Sequence, residues 1–167
     1  DGCVGHGGHC KLHRYLPVSI HEPENLDARG ECQVAAWLSI FGLMNVGVRL
    51  SHIFGHQIGA RWDVPHGITS CITIPHCMRF LAPQTLDQQV MIAEAFGLQT
   101  DGRKPEDVAA EAADTVEAFI KSLDVPTRLR DVGAKEDELP IVAEEVHKES
   151  AIWHSQQGGQ ESLLGLL

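Results

Sequence analysis

At 167 residues and 18.3 kDa the chain has the size of one domain with a full core. Its 43% hydrophobic and 5% aromatic content favours packed helices over an aromatic-rich sandwich. Thirteen Lys and Arg against twenty-three Asp and Glu give a formal charge of -10, which repels nucleic-acid phosphates and anionic membrane surfaces, so neither is expected as a partner.

Residues 1–24 are rich in Gly, His and Pro without sustained periodicity, and predict an irregular segment with at most a short helix around KLHRYLP. The opening DGCVGHGGHC lacks the basic start and apolar middle of a signal peptide, and no apolar run reaches the roughly 18 residues of a membrane span. Cys3, Cys10, Cys32, Cys71 and Cys77 are odd in number and show no framework spacing. Reduced thiols in a cytoplasmic protein are therefore expected.

From Asn25 the pattern becomes helical. Asn25 can cap, and Leu26, Val34, Ala35, Leu38, Phe41 and Leu43 recur at helical intervals until Gly47, on more than one face. Leu50, Ile53, Phe54 and Ile58 form the stripe of a second helix from about Val48 to Arg61. The tripeptide DVP ends it, because the residue before Pro65 is pushed out of the α region. A third helix is expected from His66 through GITSCITIPHCMRFLA, with Pro75 as kink or break; its Ile and Thr content leaves a strand open. TLDQQVMIAEAFG reads as a helix with a Thr85 cap and a Gly97 stop, and KPEDVAAEAADTVEAFIKSLDVP as one starting at Pro105 and ending before Pro126. KEDELPIVAEEVHKES makes another, with acids in its first turn, and the tail ending in SLLGLL docks as a short helix or frays. The acidic excess between Glu94 and Glu149 reads as a solvated face. The expected fold is an all-α multi-helix bundle, with residues 25–167 as the helical domain. No internal repeat, Walker A loop or GxGxxG is present.

Chemistry concentrates in SHIFGHQIGARWDVPHG. His52 and His56 stand at i and i+4, so both project from one helix face, and His66 follows fourteen residues after His52, beyond the turn. Three imidazoles so placed can form an open metal site; hydrogen-bonded core histidines are the alternative. His76 reads as a core, supporting or substrate-facing residue. Cys3, His6, His9, Cys10 and His13 have zinc-ligand chemistry but match no strong spacing, which leaves a glycine-rich tract as the simpler reading. Ser51 and Cys71 lie near histidines, but no Gly-x-Ser-x-Gly elbow accompanies them.

The stretch GVRLSHIFGHQIGARWDVPHGITSCITIPHCMRFLAP resembles the signature region of the iron-containing (group III) alcohol dehydrogenases, which have the dehydroquinate-synthase-like fold. The histidine spacing, Gly59, PHG and PHCMRF agree with the family pattern. ENLDARGECQVAAWLS and RLRDVGAKEDELPIVAEEV extend the resemblance over about Tyr15 to Lys148. Such enzymes join an amino-terminal α/β domain that binds NAD(P) to a carboxy-terminal helical domain that holds a divalent metal, and this chain resembles the helical domain alone. The resemblance implies that His52 and His66 are ligands for Fe2+ or Zn2+, and that His56 is a catalytic, proton-relaying neighbour of the substrate. The family's other two ligands are an Asp and a His four residues later. DGCV resembles the remains of that segment, with Gly2 in place of the His and the Asp falling before residue 1.

The implied function is that of a metal- and NAD(P)-dependent alcohol dehydrogenase acting on a small alcohol or aldehyde. This chain would be the metal-binding domain, inactive alone, with NAD(P) expected only with the amino-terminal domain. A stand-alone metal-binding or interaction module is the alternative; a metal-dependent hydrolase is weaker, for no HExxH base is present. Without an α/β partner, a cleft wall holding His52, Phe54 and His66 would be exposed, which predicts a homo-oligomer.

Overall fold

Asn25 acts as its place before an apolar run predicts. Its Oδ1 accepts a hydrogen bond from the Ala28 amide at 3.0 Å, which satisfies one of the donors a helix start leaves unpaired. The computed structural model describes residues 2–46 and 50–156, with side chains at residues 8, 10–38 and 50–151. Among these the chain forms α1 (Gly2–His21), α2 (Leu26–Val46), α3 (Leu50–Trp62), α4 (His66–Leu81), α5 (Leu86–Ala95), α6 (Pro105–Ser122) and α7 (Leu139–Gln156), with three short 3-10 turns and no strand. The all-α class expected from composition is the class observed, and the strand alternative for α4 is not.

The amino-terminal segment departs from expectation. Residues 2–21, read as irregular, form a continuous helix in spite of Gly5, Gly7, Gly8 and an internal Pro17. Each helical glycine costs about 1 kcal/mol against alanine and proline removes a donor, so the helix cannot rest on intrinsic preference. Packing offsets the deficit: α1 lies along α2, and the small residues Gly8, Ala28 and Ala35 are buried, as close approach of two helices requires. The side chains of Cys3, His6, His9, Phe41 and Leu43 lie outside the described set, as does the tail with SLLGLL. Of the remaining Cys/His set, Cys10 Sγ donates to the Ala95 carbonyl at 3.5 Å, while the His13 ring packs at a tilt of 46° against Phe96 with centroids 4.7 Å apart.

The chain divides into two units, Asp1–Gly47 with Met78–Asp124, and Val48–Cys77 with Val125–Leu167. In the first, Ala93, Val108 and Ala112 are buried with Met78, Val90 and Leu98 packed around them. The expected Gly97 stop is a Schellman ending: Gly97 adopts φ 78, its amide donates to Glu94 O, and the Leu98 amide donates to Ala93 O at 3.0 Å. Thr85 does not cap α5 as expected. It follows a 3-10 turn (Ala82–Gln84), and its hydroxyl turns back to donate to the Leu81 carbonyl at 2.8 Å.

The second unit holds α3, α4 up to Cys77, and α7. Ile53, Ile58, Val64, Val142 and Val146 are buried together, with Leu50, Phe54, Trp62 and Ile68 against them. Burying an Ile as fully as Ile58, 1% exposed, contributes about 1.5–3 kcal/mol. DVP breaks the chain as expected: Asp63 takes φ 52 and Val64 plugs the core, so α3 and α4 meet at a tight corner. α4 continues through Pro75 without a break. The acids expected in the first turn of α7 sit just ahead of it, where Glu136–Glu138 form a 3-10 turn.

Candidate metal and proton-transfer site

Three imidazoles converge where α3 begins and α4 starts. The one-turn spacing of His52 and His56 puts their ring centroids 4.5 Å apart, and the Asp63–Pro65 corner returns the chain so that the His66 ring lies 4.5 Å from His52 and 5.9 Å from His56. His66 Nε2 stands 3.0 Å from His52 Nδ1. Gly55, one turn below, makes this approach possible. A β-carbon there would lie 2.6 Å from His66 Cε1 and 2.9 Å from Thr69 Oγ1, far inside van der Waals contact.

The electrostatics disfavour the charged form of His52. Burial comes first and the neighbouring His66 and His56 second in holding its pKa below the ordinary 6.5, with Glu149 opposing. Neutral imidazole is the form that binds metal. With metal–nitrogen bonds of about 2.1 Å, two nitrogens on one ion stand roughly 3.0–3.4 Å apart. The His52–His66 separation of 3.0 Å matches that span, and equally a hydrogen bond between one protonated and one bare nitrogen. The donor set therefore fits two positions of an Fe2+ or Zn2+ shell. No group of three or more His, Cys, Asp or Glu able to hold an ion occurs among the described residues.

His56 has a different partner. Its Nδ1 lies 2.6 Å from Glu149 Oε1, and Gln57 Nε2 donates to Glu149 Oε2 at 2.7 Å. Being acceptor-only when ionised, the carboxylate places the ring proton on Nδ1 and leaves Nε2 as the acceptor. Reading the Glu94–Glu149 acids as a solvated face missed this, and is corrected for three of them. Glu149 turns to α3, Glu145 accepts from Arg61 at 3.2 Å, and Glu138 accepts from Trp62 Nε1 at 3.1 Å. A signal was present: Glu149 follows the buried Val142 and Val146 at i+7 and i+3, on the packed side of α7.

The other candidates do not join the cluster. His76 is exposed and lines a separate cavity with Phe54 and Ile58. Phe54 packs against the core, so it is not part of an exposed wall with His52 and His66. Burial pushes the Cys71 thiol up, away from the thiolate a nucleophile needs.

The profile described as Fe-containing alcohol dehydrogenase family, C-terminal, matches residues 11–161. Lactaldehyde reductase of Escherichia coli K12 is 32% identical over 118 residues, 71% of this chain and 31% of that protein. NAD-dependent methanol dehydrogenase of Bacillus methanolicus is 26% identical over 132 residues, covering 79% of this chain and 35% of its own. The crystal structure of a 1,3-propanediol oxidoreductase superposes with a TM-score of 0.83 at 27% identity, over 87% of this chain and 38% of that one. The chain thus spans about a third of the length of the curated relatives it matches.

Proposed function

The chain belongs to the Fe-containing alcohol dehydrogenase family through its C-terminal domain, and we propose that it is the metal-holding part of an NAD(P)-dependent oxidoreductase for a small alcohol or aldehyde. The observation that carries this is the paired geometry of the histidines, with His52 facing His66 at 3.0 Å and His56 held at 2.6 Å by Glu149. His52 and His66 would hold Fe2+ or Zn2+, which when bound would supply Lewis acidity toward a substrate oxygen. His56 takes the proton released from the alcohol at Nε2 and returns it for aldehyde reduction, while Glu149 steadies the positive ring that forms. The nicotinamide belongs to the rest of the enzyme, and this chain by itself turns over no substrate.

The names of the relatives, which act on lactaldehyde, methanol or 1,3-propanediol, support a small, polar substrate class. No helix among the described residues is long and apolar enough to cross a membrane, and we place the protein in the cytoplasm. Self-association is part of the proposal, supported by Leu26 and Trp37, which remain 76% and 63% exposed on α2.

Metal analysis of the purified chain beside His52→Ala and His66→Ala variants tests the site. Bound iron or zinc lost in both variants is expected; metal content unchanged by either would overturn the ligand assignment. The activity is tested by NADH oxidation with short aldehydes in a protein that also carries a nucleotide-binding domain. Metal binding without turnover there would favour the non-catalytic module instead.

A further inference from the structure

A cavity of about 750 Å³ lies in the second unit, floored by Phe54, Ile58, Ile72, Leu129 and Val142. Phe54 and Ile58 lie on the opposite face of α3 from His52 and His56, so the cavity is separate from the histidine cluster. Its volume is that of small-molecule sites, which are typically apolar with a few polar groups that fix orientation. Arg128, Arg130 and Lys135 also line it, against one acid, Glu136.

The state of these cations is informative. Lys135 is held by Glu138 at 3.5 Å. Among the described residues, neither the Arg128 nor the Arg130 guanidinium has a hydrogen-bond or ion-pair partner. Arg61, Arg79 and Arg103 are all bonded to carboxylates. Arg29 donates instead to the Pro23 carbonyl at 3.1 Å, and Arg14 lies over the Tyr15 ring. Arg128 and Arg130, with none of these partners among the described residues and both beside a hydrocarbon-lined cavity, form a complementary pattern: an apolar floor with anion-binding forks at its edge.

We infer that this cavity binds an aliphatic carboxylate, its alkyl chain along Ile58, Ile72 and Val142 and its head on Arg128 and Arg130. Glu136 on the lining disfavours a second negative charge, which selects a carboxylate over a phosphate monoester. The site requires neither a metal nor a nucleotide, so it stands apart from the dehydrogenase reading.

Calorimetric titration of the purified chain, without added metal, with octanoate, octyl phosphate, octan-1-ol and octylammonium tests the inference, with methyl NMR of Ile58 and Ile72 to locate the ligand. Saturable octanoate binding that shifts those methyls is expected, with octyl phosphate and octanol weaker and no octylammonium binding. An Arg128→Gln, Arg130→Gln double variant should weaken octanoate by about tenfold or more, while leaving octanol unchanged. Since both side chains are exposed, the variant keeps its fold. The inference is overturned by no octanoate binding below about 10 mM. It is equally overturned by octanol or octylammonium matching octanoate, by octyl phosphate binding more tightly, by shifts confined to other methyls, or by a double variant that binds as the parent does.

Discussion

Replacing Gly55 with alanine probes the histidine pair directly. The new β-carbon would stand 2.6 Å from His66 Cε1, 2.8 Å from His66 Nδ1 and 2.9 Å from Thr69 Oγ1. Carbon contacts need about 3.5–4.0 Å, so something must retreat by roughly 1 Å. Thr69 is fully buried and its hydroxyl donates to the His66 carbonyl at 2.7 Å, so the exposed His66 ring moves instead. Metal ligation tolerates about 0.2 Å, and a ring displaced by several times that leaves the shared position with His52. Stability responds less. Crowding costs about 1–3 kcal/mol, and the helical preference of alanine over glycine restores about 1 kcal/mol, for a net loss of about 2 kcal/mol or less. The expected outcome is a variant with the parent's circular dichroism, a Tm lower by a few degrees, and Zn2+ affinity by calorimetry reduced about tenfold or more. A folded Gly55→Ala chain that binds Zn2+ as tightly as the parent would refute the idea that this glycine makes room for His66.

Further outcomes follow from other contacts. In the assembled enzyme, Glu149→Ala should lower kcat about tenfold or more, and His56→Ala with Glu149→Ala should lose no more than His56→Ala alone. Additive losses would separate the two residues. Lys121, then Arg79, hold the Glu117 carboxyl down from 4.5 to about 2. Its ion pairs therefore contribute stability above about pH 4.5, and that contribution is lost as the pH falls toward 2. Melting curves at pH 7 and pH 3 should show a smaller acid loss for Glu117→Gln than for the parent, on a scale of about 1 kcal/mol or less at this exposure. Burial pushes the Cys77 thiol up to about 11, so iodoacetamide at pH 8 should leave it unlabelled in the native protein and modify it after unfolding, read by peptide mass. Gly97→Ala places a side chain at φ 78 and should cost about 1–2 kcal/mol in thermal melts, with no change in metal affinity.

Local chemistry explains which elements were legible. Asn25, the DVP corner, Pro105 and Gly97 act on neighbouring backbone groups, and the helix boundaries near them follow from residues a few positions away. The histidine cluster was legible for the same reason, since one helical turn and one corner bring the three rings together. α1 was not, because glycines and Pro17 oppose a helix until α2 packs beside it. Thr85 misled because its hydroxyl had a second nearby acceptor, the Leu81 carbonyl. Glu149 was hidden by distance: nothing near it in the chain names His56 as its partner.

That distance bears on the order in which the cluster is assembled. The His52–His66 contact spans fourteen residues and can close once the α3–α4 corner has formed, whereas His56 meets Glu149 across ninety-three. Short loops close early and long ones late, so an emerging chain has the His52–His66 contact while His56 still lacks a fixed tautomer. The docking of α7 on α3 is then the step that fixes the orientation of the His56 ring.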